Sequence, residues 1–290
     1  MKNTGLKGFE ALLVSYLFWG TQPLYYSIFP STETLNLMLW RILFAGLFCF
    51  IILAKQGKLN LLKQAFTDKQ VLKTEIPATL FLAVDWFVFL FAVKNGKVQE
   101  CALGYYIQPV TMFVFGLLFF KEKFSWHYII IFILIISGIW FFADEIGSLP
   151  FVTVILALAF SFYAFLKKGL SIDSIVSSSL EIMLMLPFAF ILLFIRAIAS
   201  DISILSGLKE LLFLLGSGLV TCLPMLFYGV GVSVLPLTVI ALSHYISPTI
   251  NLLSSFVLDE SITKEKVISF VLVWAGIILF TAVNLSNRKK

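Results

Sequence analysis

The 290-residue chain is predicted to be an all-α polytopic membrane protein, with ten transmembrane helices arranged as two five-helix repeats of inverted topology. Three observations predict this: composition, the spacing of apolar runs, and one phrase written twice. Apolar residues make up 60% of the chain and charged residues 13%, and mean hydropathy is +1.01, more nonpolar surface than a single soluble core of this length can hide. About 20 apolar residues cross ~30 Å of hydrocarbon. Runs of that kind lie at roughly 6 to 28, 35 to 54, 75 to 93, 99 to 120, 126 to 143, 149 to 167, 177 to 197, 209 to 231, 236 to 258 and 263 to 285.

The first run follows Lys2 and Lys7, contains "WGTQP" and has no small-residue cleavage site, so it reads as a retained span and not as a removable signal peptide. Connections are short except between Lys55 and Lys73, where leucines and lysines predict an amphipathic helix lying in the interface. With a cytoplasmic N-terminus, fourteen of the 21 basic residues fall on the inner side and six on the outer, which places both termini in the cytoplasm. The net charge of +5 and pI near 9.0 then reflect anchoring beside anionic lipid, and nucleic-acid binding is not expected. Cys49, Cys101 and Cys222 sit in apolar runs without C-x-x-C spacing and suggest neither a disulfide framework nor a metal site.

"ALGYYIQP" at 102 to 109 returns as "ALSHYISP" at 241 to 248. Beyond it, Phe132, Leu134, Gly138, Ile139 and Phe142 match Phe270, Leu272, Gly276, Ile277 and Phe280, and Glu122 pairs with Glu260. The copies are five spans apart, an odd number, so they run in opposite directions and divide the chain into repeats 1–145 and 146–290 within one transmembrane domain. Inverted repeats of this kind recur in secondary transporters, where two similar halves open a central site to either side.

Residues three and four apart share a helix face. Tyr105, Gln108 and Met112 therefore form one stripe, and His244, Ser247 and Asn251 form its counterpart; polar stripes facing lipid would go unsatisfied, so both are expected to point inward. Pro109 and Pro248 are expected to loosen the two helices. Trp19, Thr21 and Gln22 suit a cavity wall, and Trp86, Tyr105, Tyr106, Tyr163 and Tyr245 add rings with polar handles suited to flat or amphipathic solutes.

Asp85 lies at mid-depth in the third run, where a charge costs ~3 kcal/mol or more. Arg41 enters the second run about 9 Å from the outer edge and Asp85 sits about 12 Å from it, so the two can meet. Two readings stay open: Asp85 takes up a proton and releases Arg41 during transport, or the pair is a static ion pair that fixes packing. Glu181 lies nearer the cytoplasmic end of the seventh run and reads first as structural, its charge snorkelling to headgroup water.

With "YLFWGTQP", "WRILFAG", "DWFVFLFAVKNG", "ECALGYYIQP", "FFKEKF", "AFSFYAFLKK", "EIMLMLP", "TCLPMLFYGVGV" and "HYISPTINLLSSFVLDE" in order, the chain resembles a RarD-type member of the EamA group in the drug/metabolite transporter (DMT) superfamily from about residue 6 to 285. The resemblance implies five plus five inverted helices, cytoplasmic termini, a bacterial inner (plasma) membrane, and a central cavity lined by spans one, three, four, six, eight and nine. Three stretches depart from the family pattern: Asp85 stands where Asn usually precedes Trp, Trp40-Arg41 replaces "HR", and "HYISP" replaces "QYIGP".

The expected function is secondary active transport of small organic metabolites or drugs, with export coupled to protons as one form of it. The substrate-binding candidates are Trp19, Gln22, Arg41, Trp86, Tyr105, Tyr106, Gln108, Tyr163, His244, Tyr245, Ser247 and Asn251, and Asp85 is the proton-coupling candidate. Expected partners are the lipid bilayer, a small-molecule substrate and protons, with the monomer as the functional unit and no cofactor. A channel or receptor is the alternative. An intramembrane enzyme is a weaker one, because His127 and His244 form no H-E-x-x-H motif.

Overall fold

Hydrocarbon offers no water to free N–H and C=O groups, so an apolar run must satisfy its own backbone. A computed structural model describes residues 2–28, 32–120, 126–146, 150–167, 170, 172–198, 207–234 and 243–287. Each of the ten predicted runs contains an α-helix: α1 (Lys2–Tyr26), α2 (Thr34–Lys55), α4 (Lys69–Lys94), α5 (Val98–Phe120), α6 (His127–Ile146), α7 (Phe151–Lys167), α8 (Ser174–Ile198), α9 (Leu208–Val234), α10 (Ile246–Val257) and α11 (Lys264–Asn287). The amphipathic segment between them is α3 (Leu59–Thr67), which buries Leu62 and Ala65 and exposes Lys63. Among the described residues there is no strand. Four helices there, Thr34–Lys55, Lys69–Lys94, Ser174–Ile198 and Leu208–Gly231, are long and apolar enough to cross a membrane.

The outside of the bundle is apolar. On α6, Ile129, Ile133, Ile136 and Trp140 form an exposed stripe at helical spacing, while Ile131, Ile135 and Phe142 on the opposite face are buried. Phe188, Ile191, Phe194, Ile195 and Ile198 do the same on α8. Exposed apolar surface of this extent fits lipid and not water.

Helices distant in sequence pair side by side, and several pairs run in opposite directions. The two halves of the α6–α11 contact are glycines: a Cβ on Gly138 would stand 2.7 Å from Val273 Cγ2 and 2.8 Å from the Ser269 carbonyl, and one on Gly276 would stand 2.9 Å from Ile135 Cγ1. Tyr106 Oη donates to Thr249 Oγ1 at 2.8 Å between α5 and α10. At the start of α5, the amides of Val98 and Gln99 donate to the Glu260 carboxylate at 2.5 and 2.9 Å, so an acid from beyond the end of α10 satisfies two of the first-turn donors. Ascending numbers on α5 therefore meet descending numbers on α10, and the same holds for α6 against α11. Along α1 and α9, Ser15 Oγ donates to the Pro224 carbonyl at 2.8 Å and Tyr25 Oη to the Phe213 carbonyl at 2.5 Å. Antiparallel contact recurs in α4–α7, where Phe81 stacks on Phe162 at 4.9 Å, and in α2–α8, where Glu33 pairs with Arg196 at 2.5 Å.

Residues 243–244 and α10 are helical on either side of a turn at Tyr245, and Pro248 is the third residue of α10, so its missing N–H falls at this interruption. Pro109 lies inside α5. The start of the ninth run at 236–242, and Glu122, fall outside the described residues. Cys49 and Cys222, read as separate small hydrophobes, bring their Sγ atoms to 3.1 Å between α2 and α9.

Two consequences can be measured on purified protein. Gly138→Ala must push Val273 or the Ser269 backbone aside and is expected to cost about 1–3 kcal/mol, whereas Ile136→Ala on the exposed face leaves the thermal melt nearly unchanged. At the α7–α8 connection, partial burial raises the Asp173 carboxyl, but the Lys58 ammonium at 2.8 Å and the Ile175 and Val176 amides outweigh it and hold the group below the usual carboxylate range. Its stabilising contribution is complete above the unfolded value of about 3.9 and is lost as pH falls through the lower folded value. Asp173→Asn, which keeps the helix cap but loses the charge, should be less stable by on the order of 0.5 kcal/mol at pH 7, with the difference vanishing in acid melts.

Candidate functional site

Polar letters inside apolar runs predict an interior polar surface, and the structure gathers most of them around one central cavity of about 80 Å³. Helix α1 contributes Trp19 and Gln22; α4 contributes Asp85, Trp86 and Phe89; α5 contributes Tyr105 and Gln108; α7 contributes Phe160 and Tyr163. Thr221, Met225 and Tyr228 come from α9, and His244 and Ser247 from the chain entering α10. The implied lining of spans one, three, four, six, eight and nine is thus present, and α2 and α8 add Arg41 and Ser178.

The wall is aromatic with a polar seam. Tyr16, Trp19 and Tyr228 contact one another through ring centroids 5.2 to 6.2 Å apart, and Tyr16 meets His244 edge to face at 5.6 Å. Across the crossing of α5 with the start of α10, His244 Nε2–H donates to Gln108 Oε1 at 2.6 Å. Gln22 Nε2 donates to the Val220 carbonyl at 3.0 Å, which fixes its amide against α9.

Arg41 and Asp85 occupy the same cavity, as their matched depths predicted, but among the described residues they form no ion pair. The guanidinium carbon sits over the Trp86 ring at 4.4 Å, and Nε donates to Thr221 Oγ1 at 2.5 Å. Asp85 Oδ2 accepts from Tyr105 Oη at 3.4 Å. Depth was legible from residue counting; the direction in which each side chain leaves its helix was not. Three buried polar atoms at the wall have no hydrogen-bond partner among the described residues: Arg41 Nη1, Asp85 Oδ1 and Gln108 Nε2. An unmet buried donor or acceptor costs about 1–3 kcal/mol, and this wall presents two nitrogen donors and one carboxylate acceptor to the cavity.

Four of the sequence candidates lie away from the cavity: Thr21 is exposed, its hydroxyl donating back to the Leu17 carbonyl at 2.8 Å, and the others are Tyr106, Tyr245 and Asn251. Tyr106 stacks on Tyr245 at 6.4 Å and packs against Phe270 and Trp274 of α11. Asn251 is fully buried in α10, with neither amide atom partnered. Conversely, Ser178, Thr221, Tyr228 and Phe160 escaped sequence reasoning. Thr221 and Tyr228 sit in "TCLPMLFYG", where a hydroxyl and a phenol inside an apolar run were the available signal. Among the described residues no group of three or more His, Cys, Asp or Glu side chains is placed to hold a metal ion.

A model of the EamA-like transporter family matches residues 6–143. An uncharacterized transporter, YojE of Bacillus subtilis, is 32% identical over 280 residues, 95% of this chain and 93% of its own length. The RarD protein of Escherichia coli is 26% identical over 276 residues, covering 94% and 93% of the two chains. A solved crystal structure at 16% identity covers 100% of this chain and 99% of its own with a TM-score of 0.63, which shows a shared fold. The fold, the apolar helices and these relatives together place the chain in the EamA-like transporter family, as a RarD-type, multi-pass membrane transporter.

Proposed function

We propose that this protein is a secondary active transporter that moves small organic metabolites or drugs across the bacterial inner membrane by alternating access, with both termini cytoplasmic. The observation that carries the reading is the cavity: an aromatic enclosure between helices of both halves of the chain, with Arg41 Nη1, Asp85 Oδ1 and Gln108 Nε2 left unpartnered at its wall. A flat or amphipathic solute with acceptors for Arg41 and Gln108 matches that chemistry.

The proposed architecture is ten spans in two inverted repeats, 1–145 and 146–290. Supporting it, α5 lies antiparallel to α10 and α6 to α11. The neighbours also exchange as a twofold axis in the membrane plane requires. Helix α1 runs beside α10, with Gly20 against Ile250 and Ser254 Oγ donating to the Gly20 carbonyl at 3.4 Å; α7 runs beside α5, with Thr153 Oγ1 donating to the Glu100 carbonyl at 2.9 Å. Two packings of similar halves with nearly equal energy give a site that opens to either side. At about 80 Å³ the cavity is well below the ~300 Å³ of a drug-sized pocket, so a solute of that size enters as helices part.

Asp85 is the proposed proton-coupling group in the cavity, since solute binding and carboxylate charge compete for the same buried volume. The test is flux in proteoliposomes across a panel of amino acids, nucleobases and amphenicols, with and without a pH gradient. A thermal-shift screen first narrows the panel, because a solute at about 100 times its Kd stabilises the fold by about 2.7 kcal/mol. Saturable uptake of at least one solute, accelerated by the gradient in the native protein and not in Asp85→Asn, is the expected result. Absence of flux across the panel, or a steady ion current in planar bilayers, contradicts transport; gradient dependence surviving in Asp85→Asn removes the role given to that carboxylate.

A further inference from the structure

A second group of buried charges lies one layer away from the cavity, where α4 and α8 begin and α7 ends. Glu75 and Glu181 have side chains with no exposed surface, and Lys167 stands between them. Lys167 Nζ lies 3.0 and 3.1 Å from the two Glu75 oxygens and 2.5 Å from Glu181 Oε1, and it also contacts Ser177 Oγ. Ser177 Oγ donates to Glu75 Oε1 at 2.7 Å. Glu181 Oε2 meets Tyr163 Oη at 3.3 Å. Tyr163 is itself a cavity wall residue, as is Tyr228 of α9.

Charge counting makes this arrangement unusual. Two carboxylates around one ammonium leave one uncompensated negative charge on side chains that have no exposed surface of their own, and such a charge costs several kcal/mol. Among the described residues no other cation supplies the balance: Lys55, Lys63, Lys69 and Lys73 are exposed, and Lys58 pairs with Asp173. Asp85 lies ten residues further along α4, about 15 Å away by helical rise. An inorganic cation would have to sit beside the ammonium that already occupies the centre, and would be repelled. A proton meets the requirement at no such cost.

We propose that Glu75, Lys167 and Glu181 form a proton-binding site, one proton shared by two carboxylates around one ammonium and linked through Tyr163 to the solute cavity. Glu75 receives Lys167 and Ser177 in three contacts of 3.1 Å or less, which occupy both of its oxygens. Glu181 Oε2, with only the long phenol contact, is the oxygen that carries the proton. On release, the O–H bond of the Glu181 carboxyl breaks, the proton passes to water, and the cluster goes from neutral to a charge of minus one held by Lys167. A solute that displaces the Tyr163 ring alters the one hydrogen bond on that oxygen, which joins protonation to cavity occupancy. That last link rests on the transporter reading; the proton itself does not.

Infrared spectroscopy of the full chain in lipid, following the protonated-carboxyl stretch near neutral pH, reads the site without any solute. Glu75→Gln and Glu181→Gln each leave one carboxylate facing one ammonium, so each is expected to lose one carboxyl's worth of this band. Lys167→Gln leaves two acids and no cation, and the cluster's band should rise about twofold. Tyr163→Phe should move the pH at which the band titrates. Asp85→Asn, in the cavity, should leave this component in place. A band unchanged in both glutamine variants, or one lost only in Asp85→Asn, overturns the proposal. Because proton occupancy is read here and solute movement in the flux assay, either reading can fail while the other stands.

Discussion

A polar side chain inside hydrocarbon must find its partner in the protein, and this single constraint organises the bundle. Ser15, Gln22 and Tyr25 on α1 reach carbonyls of α9; Tyr106 reaches Thr249; Thr153 reaches the Glu100 carbonyl. Each bond ties helices far apart in sequence, at positions where packing of Leu, Ile and Phe alone would permit many registers. Apolar side chains make the outer surface, and the directional contacts inside select one arrangement of it.

Some polar groups are left over from this pairing. Among the described residues, buried atoms of Arg41, Asp85 and Gln108 stand unpartnered at the central cavity, others such as those of Tyr26, Asn251 and Ser269 lie elsewhere, and the Glu75–Lys167–Glu181 cluster holds an excess of one carboxylate over ammonium. Tyr163 touches both places. In the proposed reading, Tyr163 gives the solute cavity and the proton site a common side chain, through which the free energy of one occupant can act on the other.

How much of this was legible in the sequence differed by the range of the interaction. Apolar runs are local, so the described helices could be located from composition; the turn at Tyr245, which separates α10 from helical residues 243–244, could not. Stripes on one helix are also local, which is why Gln108, His244 and Ser247 led to the cavity. Tyr106 and Tyr245 were chosen for ring chemistry alone; one residue away from Tyr105 and His244, they are turned by about 100° and pack against each other. Asn251 shares a stripe with His244, but seven residues carry it about 10 Å along the axis, past the cavity. The Lys167 cluster was the least visible feature: Glu181 was read as snorkelling to headgroup water, and only the packing of α4, α7 and α8 shows it buried beside Glu75.

The central claim is that one cavity is reached in turn from the two sides of the membrane. Ser178 lines it, and a single cysteine at that position, in a chain whose Cys49, Cys101 and Cys222 are replaced by alanine, reports access directly. Labelling by a membrane-impermeant thiol reagent should occur both in right-side-out and in inverted vesicles. Labelling confined to one face, under every gradient applied, would contradict the account.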